Sequence, residues 1–385
     1  MWLQLLSLGW LVKYLTENGT HSALLVVGVG GAASLPGIII GPLGGVLGDR
    51  LDRRILIMCL EFFMVILALF FTFLVATGFV EVWHAYAYAF LSGCCEAIKM
   101  PVRQALISNT VPSKSLSNAY ATSVVTIPGT RMIGPFVGGI LLKNMGFEWN
   151  FLFEAFLYTG VIIALIPMKT PYFLKRKFAQ SQGLAGFFDD LIDGFRYLWV
   201  KQRPLALLYL LSLVPNVICH PVLFLLPLFT SDVLDKGVDY GGYLLAINGA
   251  GGFVLVLCLS AFGFPKAKGL LCLLSALLSA VLTLLLSQSI WIFTTFLLLA
   301  LFGASQTVFR TTNGLLTQTL TDDHYRVRVM SVYRLGMGMV VFFGLLVGWL
   351  SGIFSVAFTL IGMGFIGICI VLFFFLFANT IRTQL

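Results

Sequence analysis

The chain has 385 residues, of which 59% are hydrophobic and only 10% charged, with a mean hydropathy of +0.98 and a formal net charge of +8. Soluble domains carry roughly 25% charged and 45–50% apolar residues, so this composition excludes a water-soluble fold. The positive charge is therefore a matter of membrane topology and not a nucleic-acid signal.

The apolar runs are about 20 residues long and unbroken, the length of a bilayer-spanning helix and twice that of a barrel strand. Hydropathy places twelve segments, at about 1–15, 23–47, 55–78, 83–107, 115–142, 151–168, 205–230, 240–262, 269–287, 290–317, 329–350 and 353–377. The first would rise about 22 Å at 1.5 Å per residue, against about 30 Å of hydrocarbon. It is expected to be a truncated helix lacking roughly 15–20 residues of span before Met1.

Most connections are short. The exception is 169–204, where Lys175-Arg176-Lys177 precedes Leu184–Trp199. In that stretch Leu184, Phe187, Phe188, Leu191, Ile192, Phe195 and Leu198 recur at helical spacing, with Asp189, Asp190, Asp193 and Arg196 largely opposite. This pattern is expected to form an amphipathic helix on the membrane surface. The expected organisation is an all-α membrane protein of two six-helix bundles, 1–168 and 205–385, joined by the linker 169–204. An internal repeat at an offset of 210 residues supports two halves: Gly93–Met100 and Gly303–Arg310 both set polar residues at matching depth in a helix.

Of 24 Lys and Arg, 16 fall in alternate loops and tails, Lys13, Lys143 and Lys236 fall on the opposite side, and Lys99, Arg103, Arg131, Arg310 and Arg334 fall within helices. The positive-inside rule then puts both termini and the linker in the cytoplasm of a bacterial-type inner membrane. Trp83, Trp149 and Trp291 fall at the outer interface, as in an aromatic belt. The seven cysteines all lie in apolar runs without metal-ligand spacing and are read as small core residues. No phosphate-binding glycine loop, nucleophile triad or metal cluster stands out. An enzyme, a cofactor and a metal are therefore not expected.

Between the second and third segments stands Gly45-Val46-Leu47-Gly48-Asp49-Arg50-Leu51-Asp52-Arg53-Arg54. Gly45 permits close helix approach, Asp49 sets an acid among arginines at a helix end, and Arg50, Arg53 and Arg54 hold the loop in the cytoplasm. The stretch resembles the G-x-L-A-D-R-x-G-R-R signature of the major facilitator superfamily, with Asp52 in place of the usual glycine. Arg131–Gly139 resembles the R-x-x-G-P-x-x-G-G of exporter-type members. Together with Pro101–Ala105 and Asp323–Ser331, it looks like the branch of enterobactin exporters and macrolide efflux proteins. The resemblance spans the whole chain, although the second half lacks a matching signature at Phe264–Lys268. It implies a monomer with a central cavity that rocks between inward- and outward-open states. It also implies a contact of Asp49 with Arg103 and with a helix end in the other half.

An ionisable side chain at mid-bilayer costs at least about 2.5–3.5 kcal/mol, so each one calls for a reason. Glu96, Lys99 and Arg103 share one face of the fourth segment. They form either a cavity strip with Glu96 as proton carrier or an internal Glu96–Lys99 ion pair. Arg131 precedes Gly134-Pro135 and pairs either structurally or with a solute. His220, between Pro215, Asn216 and Pro221, is either a gate or a packing residue. Glu154 is expected to snorkel at the outer end of its segment. Gln306, Arg310 and Asn313 share a face of the tenth segment, where Arg310 is a candidate contact for an anionic or polar part of a substrate. The expected function is a proton-coupled exporter of a small amphipathic molecule. A facilitator or importer on the same fold, or a non-transporting lipid-handling or assembly protein, are the alternatives.

Overall fold

The computed structural model describes residues 1–16, 22–41, 47, 51–112, 115–170, 192–263, 267–322 and 325–377. Within them the chain is helical, with no strand among the described residues. In chain order the helices are α1 (Trp2–Leu15), α2 (Ser22–Ser34), α3 (Pro36–Ile39), α4 (Arg53–Ala76), α5 (Val82–Thr110), α6 (Leu116–Met145), α7 (Phe147–Leu165), α8 (Arg203–Leu213), α9 (Val222–Leu228), α10 (Val238–Phe262), α11 (Lys268–Leu286), α12 (Ile292–Leu320), α13 (Arg326–Gly338), α14 (Val340–Ile353) and α15 (Val356–Phe377). Among the described residues seven helices are long and apolar enough to cross a membrane: α4, α7, the combined run Arg203–Val233, and α10, α11, α12 and α15. Large apolar side chains point outward along them, among them Phe62, Phe73, Phe156 and Phe293. Only lipid can cover so much exposed hydrocarbon.

Local chemistry sets the helix ends and breaks. Asp52 caps α4, its carboxylate accepting from the backbone N–H of Arg54 at 2.9 Å and of Ile55 at 3.2 Å. The departure from the superfamily's glycine thus supplies an N-cap. The run Arg203–Val233 is broken by Pro215, Pro221 and Pro227, and it widens into π-helical turns at Val214–Cys219 and Phe229–Val233. Proline lacks the N–H that the helix ladder needs, and such turns cluster at functional sites.

Helix α10 lies between α6 and α12, and glycine permits both approaches. A Cβ on Gly242 would sit 2.6 Å from the Pro135 carbonyl oxygen, and one on Gly303 would sit 1.8 Å from that of Asn248. Small residues let helix backbones meet where no hydrophobic drive exists between them. Asn248, fully buried, reinforces the second contact by donating to the Leu299 carbonyl at 3.1 Å.

Several expectations change at this level. Of the expected surface helix Leu184–Trp199, residues up to 191 lie outside the described residues. Residues 192–196 are helical and Tyr197–Lys201 is a π-helical turn. The eleventh segment divides at Met339 into α13 and α14. Not every cysteine packs inside: Cys95, Cys219 and Cys272 are buried, whereas Cys59, Cys258 and Cys369 are exposed on apolar helices. All seven are free thiols.

Candidate functional site

The buried charge gathers in two places. The first is built by α4, α5 and α7. Lys99, on α5, stands between two carboxylates, 3.0 Å from Glu61 on α4 and 3.2 Å from Glu96 one turn back on its own helix. Its ammonium also faces the Tyr158 ring of α7 at 5.8 Å. The side chains of Glu61 and Lys99 are 4% and 11% exposed, that of Glu96 29%. The Oε2 atom of Glu61 is buried without a hydrogen-bond partner. When all three groups are ionised the cluster carries one excess negative charge, and one proton makes it neutral.

The expected strip on α5 therefore divides. Glu96 and Lys99 join the cluster, whereas Arg103 is exposed and donates to the Met100 sulfur at 3.6 Å. Glu61 was not singled out in the sequence. Its signal was that of a lone acid in an apolar run, between Cys59-Leu60 and Phe62-Phe63. Glu154 does not snorkel. It is 3% exposed and accepts from the Tyr88 hydroxyl at 2.8 Å, beside the packed rings of Tyr88, Phe71 and Phe151.

The second place lies where α1, α6, α12 and the broken run Arg203–Val233 meet. Arg310, on α12, donates from Nε to the side-chain amide oxygen of Asn216 at 3.0 Å and lies 3.1 Å from Nδ1 of His220. It also reaches the Gln306 side-chain oxygen at 3.3 Å, while Gln306 donates to the Pro215 carbonyl at 2.8 Å. Asn313, one helical turn on, donates to the Leu208 carbonyl at 3.2 Å. The proline-broken backbone thus presents Pro215, Asn216 and His220 to the polar face of α12, and the isolated polar residues of both segments prove to be partners. Arg131, on α6, is 5% exposed with the Trp2 ring 4.6 Å from its Cζ.

Two ion pairs link the first half of the chain to the second. Lys13 meets Asp232 at 2.7 Å, and Lys143 meets Asp239 at 2.7 Å. Lys13 and Asp232 also line a hollow of about 660 Å³ with Ser22, Leu228, Lys236 and Ser351.

Of the signature loop, Gly45, Asp49 and Arg50 lie outside the described residues, and so does the expected Asp49–Arg103 contact. Arg53 donates to the Ala105 carbonyl at 3.3 Å and to the Asn109 side chain at 3.1 Å, and Arg54 donates to the Ile166 carbonyl. The two arginines tie the start of α4 to the ends of α5 and α7.

Comparison with known proteins adds the following. The chain matches the family described as transmembrane secretion effectors over residues 1–383. It is 23% identical to the staphyloferrin A transporter of Staphylococcus aureus (strain NCTC 8325 / PS 47), over 100% of this chain and 94% of that one. It is 26% identical to the enterobactin exporter EntS of Shigella flexneri, over 70% of this chain and 62% of that one. A crystal structure of a POT family transporter in complex with 5-aminolevulinic acid superimposes with a TM-score of 0.75 at 13% identity, covering 100% of this chain and 95% of the other. At that identity the likeness concerns the fold alone.

Proposed function

This chain belongs to the transmembrane secretion effector family of the major facilitator superfamily, a multi-pass membrane transporter and not an enzyme, and from that premise we propose that it exports a small amphipathic molecule against a proton gradient. The observation that carries the coupling is the triad Glu61–Lys99–Glu96. Two carboxylates share one ammonium inside the membrane, an arrangement that changes charge by one when a proton binds. A purely structural bundle gains nothing from three such groups, each costly to desolvate.

In this reading residues 1–168 and 205–385 form two six-helix bundles in the inner membrane of a bacterium, with 169–204 and both termini in the cytoplasm, and the protein acts as a monomer. The bundles rock about the substrate site. The pairs Lys13–Asp232 and Lys143–Asp239 each join one bundle to the other. Both lie on the side with few basic residues, so they close the outer side and part when the protein opens outward. Export is supported by the name of the Shigella relative, and a siderophore-like substrate by the names of the staphyloferrin A transporter and the enterobactin exporter.

The test is efflux of a fluorescent amphipathic dye from cells making the protein. Dye retention should rise when a protonophore collapses the gradient. Glu96→Gln and Glu61→Gln should each abolish the gradient-dependent part while the protein still reaches the membrane. Gradient-dependent efflux that is unchanged in both variants would remove the triad from the coupling step.

A further inference from the structure

The triad does not account for the other buried charge. Arg131 and Arg310 come from different parts of the chain, α6 and α12, which pack against α10 at neighbouring turns, the Arg131 backbone against Gly249 and Thr307, one turn before Arg310, against Gly252; two cations set that way in a low-dielectric interior repel one another. No carboxylate lies within 4 Å of either among the described residues; the ion pairs found there involve Lys13, Lys99, Lys143 and Arg328. Among the described residues Arg310 is held by Asn216, His220 and Gln306, none of them an acid. Arg131 is less satisfied still. Its Nε and Nη2 are buried with no hydrogen-bond partner, and the aromatic face of Trp2 is what its planar group rests against.

A buried donor left unpaired, and a buried charge left uncompensated, are the two costs that folded proteins most consistently avoid. Here Arg131 bears both, and the half-buried Arg310 shares the second. A guanidinium offers a planar fork of N–H donors that matches carboxylate and phosphate oxygens two at a time. One oxyanion between the two arginines would satisfy the orphan donors of Arg131 and turn a mutual repulsion into two attractions.

We propose that Arg131 and Arg310 form an oxyanion site and that the transported molecule is an anion bearing a carboxylate or phosphate group. Calling the anion the substrate rests on the transport reading above. The binding itself does not, because it requires neither a gradient nor flux. Trp2 forms the apolar wall against which the guanidinium and the adjoining part of the solute stack.

The experiment is thermal unfolding of the purified full chain in detergent, titrated with citrate, with inorganic pyrophosphate and, at matched ionic strength, with sodium chloride. The expected result is a saturable rise in melting temperature with citrate or pyrophosphate that chloride does not give. The effective ligand tells a carboxylate site from a phosphate site. The rise should vanish in Arg131→Gln and in Arg310→Gln. Without any oxyanion, Arg131→Met should melt no lower than the wild type, since it removes an unpaired charge. An unresponsive wild type, a response kept in either glutamine variant, or an Arg131→Met protein that is less stable without ligand would each overturn the proposal. Oxyanion binding alongside failed dye efflux would instead count against the export reading and leave the oxyanion site standing.

Discussion

Replacing Lys99 with methionine keeps most of the side-chain volume and deletes the one cation within 4 Å of Glu61 and Glu96 among the described residues. Breaking a buried pair by removing one partner costs about 3–5 kcal/mol, because the other charge stays behind unpaired. Glu96 is 29% exposed at its side chain and keeps some contact with solvent, whereas Glu61 at 4% has none to fall back on. The loss therefore falls mainly on one carboxylate, and the lower end of the range, about 3 kcal/mol, is expected. Glu96→Gln is a different perturbation. It leaves Lys99 and Glu61 as a neutral one-to-one pair and should cost less than about 1 kcal/mol, as for a partly exposed ion pair. Combining Lys99→Met with Glu61→Gln should recover much of the loss, since both ends of the buried pair are then uncharged. The assay is thermal unfolding of the purified variants in one detergent. The expected order is wild type and Glu96→Gln together, the double variant below them, and Lys99→Met lowest. A Lys99→Met protein that melts with the wild type, or a Glu96→Gln protein that falls as far as Lys99→Met, would refute the account of the triad.

The ion pairs Lys13–Asp232 and Lys143–Asp239, which the proposed topology sets on the outer side, each have one exposed partner and contribute only about 0.2–1 kcal/mol each, so their loss should be read in accessibility and not in stability. Lys13→Gln combined with Lys143→Gln should speed the labelling of a Leu228→Cys variant by a membrane-impermeant maleimide, Leu228 being buried beside the hollow that Lys13 and Asp232 line; an unchanged rate would show that the pairs do not hold that side shut. Gly303→Ala places a methyl group 1.8 Å from a backbone carbonyl and should destabilise by about 3 kcal/mol or prevent folding. Gly314→Ala, on the same helix with nothing within 4 Å of its added Cβ, should be neutral or stabilising by up to about 1 kcal/mol. Asp52→Ala should cost about 1 kcal/mol through the lost cap of α4, and Asp52→Gly only a few tenths, both read as shifts in the melting temperature of the purified protein.

The helices were legible because hydrocarbon imposes a length and a composition on each of them. Arg53–Ala76 and Lys268–Leu286 fall within about two residues of their expected bounds for that reason. The breaks were legible only in part. Pro215 and Pro221 announced an interruption, but not that the wider turn would offer the Pro215 carbonyl to Gln306 and the Asn216 side chain to Arg310. Partnership between distant residues was where single-sequence reasoning stopped. The periodicity of α5 placed Glu96 beside Lys99, since residues three apart face each other on a helix. It carried no information about Glu61, which joins from α4 across 38 positions. Glu154 failed for a related cause. A segment beginning at 151 sets it near the outer end, whereas the helix starts four residues earlier, at Phe147, which sets Glu154 two turns inside and against Tyr88.

The two charged clusters have opposite deficits. With every group ionised, the triad on α4 and α5 has one negative charge too many, and the arginine pair of α6 and α12 has two positive charges without a counter-ion. A proton corrects the first and an anion corrects the second. In a low-dielectric interior neither deficit is screened well, so a conformation that seals both clusters from water favours having each one filled. On the proposed mechanism, this lets a proton and an anion act on one conformational equilibrium without touching each other. Each need only bind more tightly in one of the two states, and the coupling between them is then fixed by that difference in affinity. It follows that Arg310→Gln should weaken oxyanion binding while leaving the stability order of the Lys99 and Glu96 variants unchanged, because the two clusters share no side chain. If Arg310→Gln also erased the difference between Glu96→Gln and Lys99→Met, the clusters would be one electrostatic unit, and the separation of proton and anion sites would be wrong.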